Sequence, residues 1–188
     1  MLSARIAQCP QGVPAGVEMT KLWRHGLFGA VSGGAGSTAM EQWQRKQVED
    51  GTGVACPKTK MRINVRTKTL HEIAQPNRRA DGFDFTEDFD GVQTFGQTKV
   101  YLDFKSIVSA GGAQTRSLRE VHHFVEGQLD VAKTTSGILF ANLLDGDESA
   151  SHMDKFENLK QRPEYADVRD RVYVGDTRGY FTWLQAQL

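Results

Sequence analysis

An acid and a base stand where a sheet strand wants bulk. In KVYLDFKSIV, Lys99 to Val108, the residues Val100, Leu102, Phe104 and Ile107 have the β-strand habit, yet Asp103 and Lys105 interrupt them. Desolvating a charge inside a sheet is costly, so the interruption needs a reason. Strand side chains alternate, which puts Lys99, Tyr101, Asp103 and Lys105 on one face and Val100, Leu102 and Phe104 on the other. Upstream, FDGVQTFGQTKV reads as a hairpin turning at Gly96-Gln97, a Gly-X pair suited to a type II′ turn. With Phe95 facing Thr98, counting outward five positions on each side sets Asp90 opposite Asp103. Opposed side chains lie roughly 4.5–5.5 Å apart, where like charges repel. Two carboxylates at that separation could share Mg²⁺, with Mn²⁺ as a substitute, while water and a substrate phosphate fill the other positions. Lys105 would then orient the attacking water and stabilise charge growing on phosphorus.

Two alternatives share this stretch. A longer loop would move the partner of Asp103 to Asp88 or Asp84. In the short-turn register Asp88 falls opposite Lys105, and a plain cross-strand ion pair would then explain the lysine.

FDG at Phe89 to Gly91 followed by YLDFK at Tyr101 to Lys105 resembles the PD-(D/E)XK pattern of the restriction endonuclease-like nucleases, over roughly Arg79 to Val174. That family usually has proline before the first Asp, where this chain has Phe89, which leaves the first ligand open among Asp81, Asp84, Asp88 and Asp90. The resemblance implies Asp90 and Asp103 as metal ligands and Lys105 as the catalytic lysine. It implies a Mg²⁺-dependent endodeoxyribonuclease that leaves a 5′-phosphate, of the type II restriction or genome-defence kind. A structure-selective repair or recombination nuclease, or a catalytically silent DNA-binding protein of the same fold, are the rival readings.

The distribution of charge fits a phosphate polymer better than its sum does, although a charge run by itself is equally the mark of a solvated face. Net charge is zero, with 23 basic and 23 acidic residues. Seven cations between Lys58 and Arg79 meet one acid, Glu72, and five acids follow from Asp81 to Asp90. Read as a single alternating strand, KMRINVRTKTLHEI turns Lys60, Arg62, Arg66 and Lys68 to one face as the DNA-binding surface and Met61, Ile63 and Val65 inward. SAGGAQTRSLRE adds Gln114, Arg116 and Arg119 near a helix N-terminus, a natural phosphate-binding end. A site of this kind cuts one strand, so a homodimer is expected to present two sites to the two strands of DNA.

These residues need elements to hold them. Strands are expected at Gly82–Thr86, Gly91–Phe95, Lys99–Val108, Gly137–Leu143 and Arg171–Val174, with GYFTWLQAQ as a strand or short helix. Leu118, Val121, Val125, Leu129 and Ala132 recur at helical spacing, as do Met153, Phe156 and Leu159 before Pro163 interrupts. Ser37 or Thr38 is placed to cap a helix running to about Glu49. Glu41, Glu49 and Glu120 are minor candidates for the metal shell. His122 and His123 point about 100° apart on a helix and cannot share an ion, so one is expected half-buried and the other exposed. The order of elements predicts an α/β domain, a mixed central β-sheet flanked by helices, antiparallel at first and then extended by crossovers. The 188 residues read as a single domain, with 1–78 an N-terminal extension and 79–188 the catalytic core. Cys9 and Cys56 lack metal-ligand spacing, and Trp23, Trp43 and Trp183 read as core anchors. Without a membrane-length apolar run or a secretory leader, a cytoplasmic protein with no membrane partner is expected.

Overall fold

A computed structural model of the chain describes residues 34–72, 86–107 and 111–188, with the side chains of 34–39, 113, 114 and 147 excepted. Asp81, Asp84, Arg78, Arg79, Cys9, Trp23, most of the expected Gly82–Thr86 strand and the side chain of Gln114 lie outside the described residues.

Helix α1 spans Gly34–Thr52. Ser37 and Thr38 therefore sit inside it rather than capping it, and it runs past Glu49. Gly53, at φ +68°, ends it, its N–H reaching the Glu49 carbonyl at 2.8 Å; glycine pays no side-chain penalty for that conformation.

The basic stretch is not one strand. It divides into β1 (Met61–Asn64) and β2 (Thr69–Glu72), which pair antiparallel. The break is chemical: Asn64 Oδ1 accepts the N–H groups of Arg66 and Thr67, both at 3.0 Å, and so folds the chain back on itself. Lys68 takes φ +58° and its N–H closes the loop on the Asn64 carbonyl at 2.8 Å. A third strand, β3 (Thr86–Asp88), pairs with the other edge of β1 and completes a small sheet in the order β2-β1-β3.

The main sheet has four strands: β4 (Gly91–Phe95), β5 (Thr98–Ser106), β6 (Ile138–Asp145) and β7 (Val172–Gly175), side by side in chain order. β4 and β5 form an antiparallel hairpin with Phe95 opposite Thr98, and Gly96 takes φ +62° in the two-residue turn. β6 pairs parallel with β5, and β7 parallel with β6. The first crossover is α2 (Gly112–Ala132). The second passes through α3 (Asp147–Ala150), α4 (Met153–Lys160) and two 3₁₀ turns, Pro163–Tyr165 and Arg169–Arg171. The C-terminal segment is a helix, α5 (Thr177–Gln187), started by Asp176, whose Oδ1 accepts the Gly179 N–H at 2.7 Å. The fold is thus a mixed α/β arrangement of two open sheets with flanking helices.

Alternation along β5 divides the core between the two faces of the main sheet. Val100, Leu102 and Phe104 pack with Val48 of α1 and Tyr180, Phe181 and Leu184 of α5. Tyr101 and Phe140 pack on the other side with Phe89, Ile63 and the apolar stripe of α2, whose Leu118, Val121, Val125, Leu129 and Ala132 are all buried. The helix expected within an N-terminal extension therefore lies against the sheet: Gln44 of α1 is fully buried at the ends of β5 and β6. Trp43 is half-exposed, and Trp183 packs on Tyr173 and Tyr180. Among the described residues, no helix is long and apolar enough to cross a membrane.

Candidate functional site

The β4–β5 register, with Gly91 opposite Leu102, brings Asp90 beside Asp103 at the open end of the hairpin. Three contacts fix Asp90. Its N–H donates to the Leu102 carbonyl at 2.8 Å, its Oδ2 accepts the Phe104 N–H at 2.7 Å, and its carbonyl accepts Arg45 Nη2 at 2.8 Å. Burial, then the nearby charge of Asp103, pushes the Asp90 carboxyl up to about 7, against the stabilising Phe104 N–H.

Asp103 is 2% exposed. Its Oδ1 meets Lys105 Nζ at 3.1 Å, while its Oδ2 is buried with no hydrogen-bond partner among the described residues. A buried, unpaired carboxylate oxygen is an energetic liability, which a cation would relieve. Lys105 faces Asp103, Asp90 and Glu87, and the Asp103 charge above all holds its ammonium well above the ordinary lysine range. The Glu87 carboxyl is pushed up by burial and by the charge of Glu120.

Asp88 does not pair with Lys105. The chain leaves the hairpin plane before Asp90 and β3 joins the small sheet, where Arg62 lies opposite Asp88 and binds its carboxylate through both Nε and Nη2. The cross-strand ion pair that could have explained the lysine is absent from this fold.

The expected DNA surface also changes. Lys60 is exposed ahead of β1, Arg62 is held by Asp88, Arg66 lies in the turn, and Lys68 pairs with Asp130 of α2 at 2.8 Å. The common cationic face required an unbroken strand, and the Asn64 turn removes it. Arg116 and Arg119 are exposed on the first turns of α2. His122 is half-buried and His123 exposed.

Helix α1 supplies residues that motif reading missed. Arg45 binds the Cys56 carbonyl at 2.6 Å, Glu41 at 2.9 Å and the Asp90 carbonyl, and its guanidinium lies 5.3 Å from the Phe104 ring centre. Gln44 Nε2 reaches the carbonyls of Lys105 at 3.1 Å and Leu143 at 3.2 Å, and Asp145 Oδ2 at 2.8 Å. Asp145, fully buried, also accepts the N–H of Thr177 at 2.9 Å and its hydroxyl at 2.6 Å. The Glu41–Arg45 spacing of four was the one visible signal, and it marks any solvated helix face equally well. Of the minor ligand candidates, Glu41 stands nearest Asp90 through Arg45, while Glu49 is spent on the Cys56 N–H at 2.8 Å. Glu120 is exposed beside Glu87.

Asp90 and Asp103 suit a hard cation: both offer carboxylate oxygen, and one such oxygen is buried without a hydrogen-bond partner among the described residues. The fit is a two-residue one. Among the described residues, no group of three or more His, Cys, Asp or Glu side chains is gathered closely enough to hold a metal ion by protein ligands alone. No family model, curated protein or solved structure matches the chain, so its chemistry rests on these side chains themselves.

Proposed function

We propose that the chain is a Mg²⁺-dependent endodeoxyribonuclease with a restriction endonuclease-like core. The observation that carries the reading is Asp103: a carboxylate buried on a central strand, set beside Asp90, with one oxygen unpaired and Lys105 against the other. A fold stabilised only for itself gains nothing from that arrangement. The mixed sheet between helices supports the same reading.

Asp90 and Asp103 would hold Mg²⁺, which supplies a Lewis acid at the phosphate. The protein's own residues do the rest. The Phe104 N–H and Arg45 fix Asp90 in the bend that leads into β4. Lys105, cationic throughout the neutral range, stands beside the same phosphate to stabilise the charge that grows there and to orient water. One such site cuts one strand, so double-strand cleavage requires a second copy of the chain.

Supercoiled plasmid incubated with Mg²⁺ is expected to be nicked or linearised, EDTA to stop it, and Ca²⁺ to support binding without cleavage. Asp103→Asn should abolish cutting while the circular dichroism spectrum is retained. Undiminished cleavage by that variant would end the proposal.

A further inference from the structure

Helices α2 and α4 enclose a cavity of about 90 Å³, open on one side. Its floor is Leu118 and Phe156, both buried, and the His122 ring lies 5.7 Å from that of Phe156. Burial holds the His122 imidazole below its ordinary range, which favours the uncharged ring. Arg119 and Lys155 stand at the rim, both exposed. Neither forms an ion pair among the described residues, whereas Lys46, Arg62, Lys68, Lys133 and Arg162 are all matched to carboxylates.

The cavity is tied to the candidate active site by a short run of backbone. Ile107, two residues beyond Lys105, accepts the Ser149 N–H at 3.4 Å, and Ser149 accepts the N–H of His152, another residue of the cavity wall, at 3.0 Å. An apolar, ring-lined floor beneath unneutralised cations matches one chemical object, a nucleotide whose base has left its stack. A cavity of this size, open on one side, can take part of one ring against its floor and has no room for a base pair.

Building on the nuclease reading, we propose that this cavity receives one unpaired nucleotide of the DNA strand, its base against Leu118, His122 and Phe156 and its phosphate on Arg119 and Lys155. The substrate class is then single-stranded or splayed DNA. That favours the structure-selective form of the nuclease over the type II restriction form.

The test is binding of a fluorescein-labelled 12-nucleotide oligo(dT) to the full chain in EDTA, followed by anisotropy. The strand is expected to bind at least about tenfold more tightly than a duplex of the same length, and an abasic strand to bind more weakly than oligo(dT). Arg119→Ala and Lys155→Ala should each weaken strand binding and reduce the slope of log affinity against log salt by about 0.7, while Lys46→Ala, on the far helix α1 and paired with Asp50, leaves both unchanged. Equal affinity for strand and duplex, no loss in the abasic strand, or no effect of Arg119→Ala and Lys155→Ala would each overturn the assignment. Plasmid cleavage that persists alongside such results leaves the active site standing and removes the cavity from it. Strand binding with these dependences, but without cleavage under any divalent metal, keeps the cavity and removes the nuclease.

Discussion

Lys105 Nζ lies 3.1 Å from Asp103 Oδ1, on the same face of β5, and is the cation that offsets a buried carboxylate. The lysine thus has two duties, and they can be separated. Lys105→Ala is expected to slow single-turnover cleavage by about two orders of magnitude or more. It should also destabilise the metal-free protein. Breaking a buried pair costs roughly 3–5 kcal/mol, and a lysine side chain 42% exposed puts this one below that range. Mg²⁺ should restore part of the loss, because a cation that binds only the folded state stabilises it. Denaturant titrations with and without Mg²⁺ read this out, and a variant indifferent to Mg²⁺ would count against metal binding at Asp103.

Asp90→Asn should gain stability in EDTA by an amount that depends on pH. The native carboxyl sits at about 7 against an ordinary 3.8. Between those values the folded chain holds a proton that the unfolded chain has released, so wild-type stability falls as pH rises through the interval and levels off above it. Asparagine carries no such penalty and keeps an oxygen for the Phe104 N–H. Its advantage should be absent below about pH 4, grow to about pH 7 and then stay constant. Urea midpoints measured across pH 4 to 8 check the trend, and a constant offset contradicts it.

Asp145→Asn is expected to be costly without touching the active-site face. Thr177 N–H, Thr177 hydroxyl and Gln44 Nε2 all donate to the carboxylate, so an amide nitrogen there would meet a donor. Leaving buried donors unmatched costs about 1–3 kcal/mol. Thermal melts should show the loss, and Asp145→Glu should not repair it, because the site admits no extra methylene without moving Gln44.

Arg62→Ala should do little. Its ion pair with Asp88 is partly exposed, at 25% and 56%, and such pairs are worth about 1 kcal/mol or less. Since the guanidinium is already engaged, DNA affinity in Ca²⁺ should barely change. A large loss of affinity would return the DNA surface to β1.

The β4–β5 hairpin was legible because a two-residue Gly-X turn leaves no slack: once Phe95 faces Thr98, every further pair follows. The stripe of α2 was legible for a similar reason, its apolar period running unbroken from Leu118 to Ala132. Asn64 was the residue misread. Its side chain could have been recognised as a turn-former, but the alternating pattern of Met61, Ile63 and Val65 outweighed it. The fate of Asp88 was not readable at all, because its pairing with Arg62 depends on a strand contact spanning 26 residues. Gln44 and Arg45 were hidden differently. Their partners are backbone carbonyls, which carry no sequence signature.

The two-residue turn at Gly96 and Gln97 also makes the candidate site vulnerable to arithmetic rather than to chemistry. One extra residue in β5 between Thr98 and Asp103 would leave every functional side chain in the chain. It would nonetheless turn Asp103 and Lys105 toward α1 and α5 and send Leu102 or Phe104 to the opposite face, since side chains alternate with a period of two. Two extra residues would restore the facing but slide Asp103 past Asp90 by about 7 Å. Insertion of one codon there should therefore abolish cleavage and displace Leu102 or Phe104 from the core, whereas insertion of two should abolish cleavage with the facing of β5 kept, so that an odd–even pattern is expected in stability and not in activity.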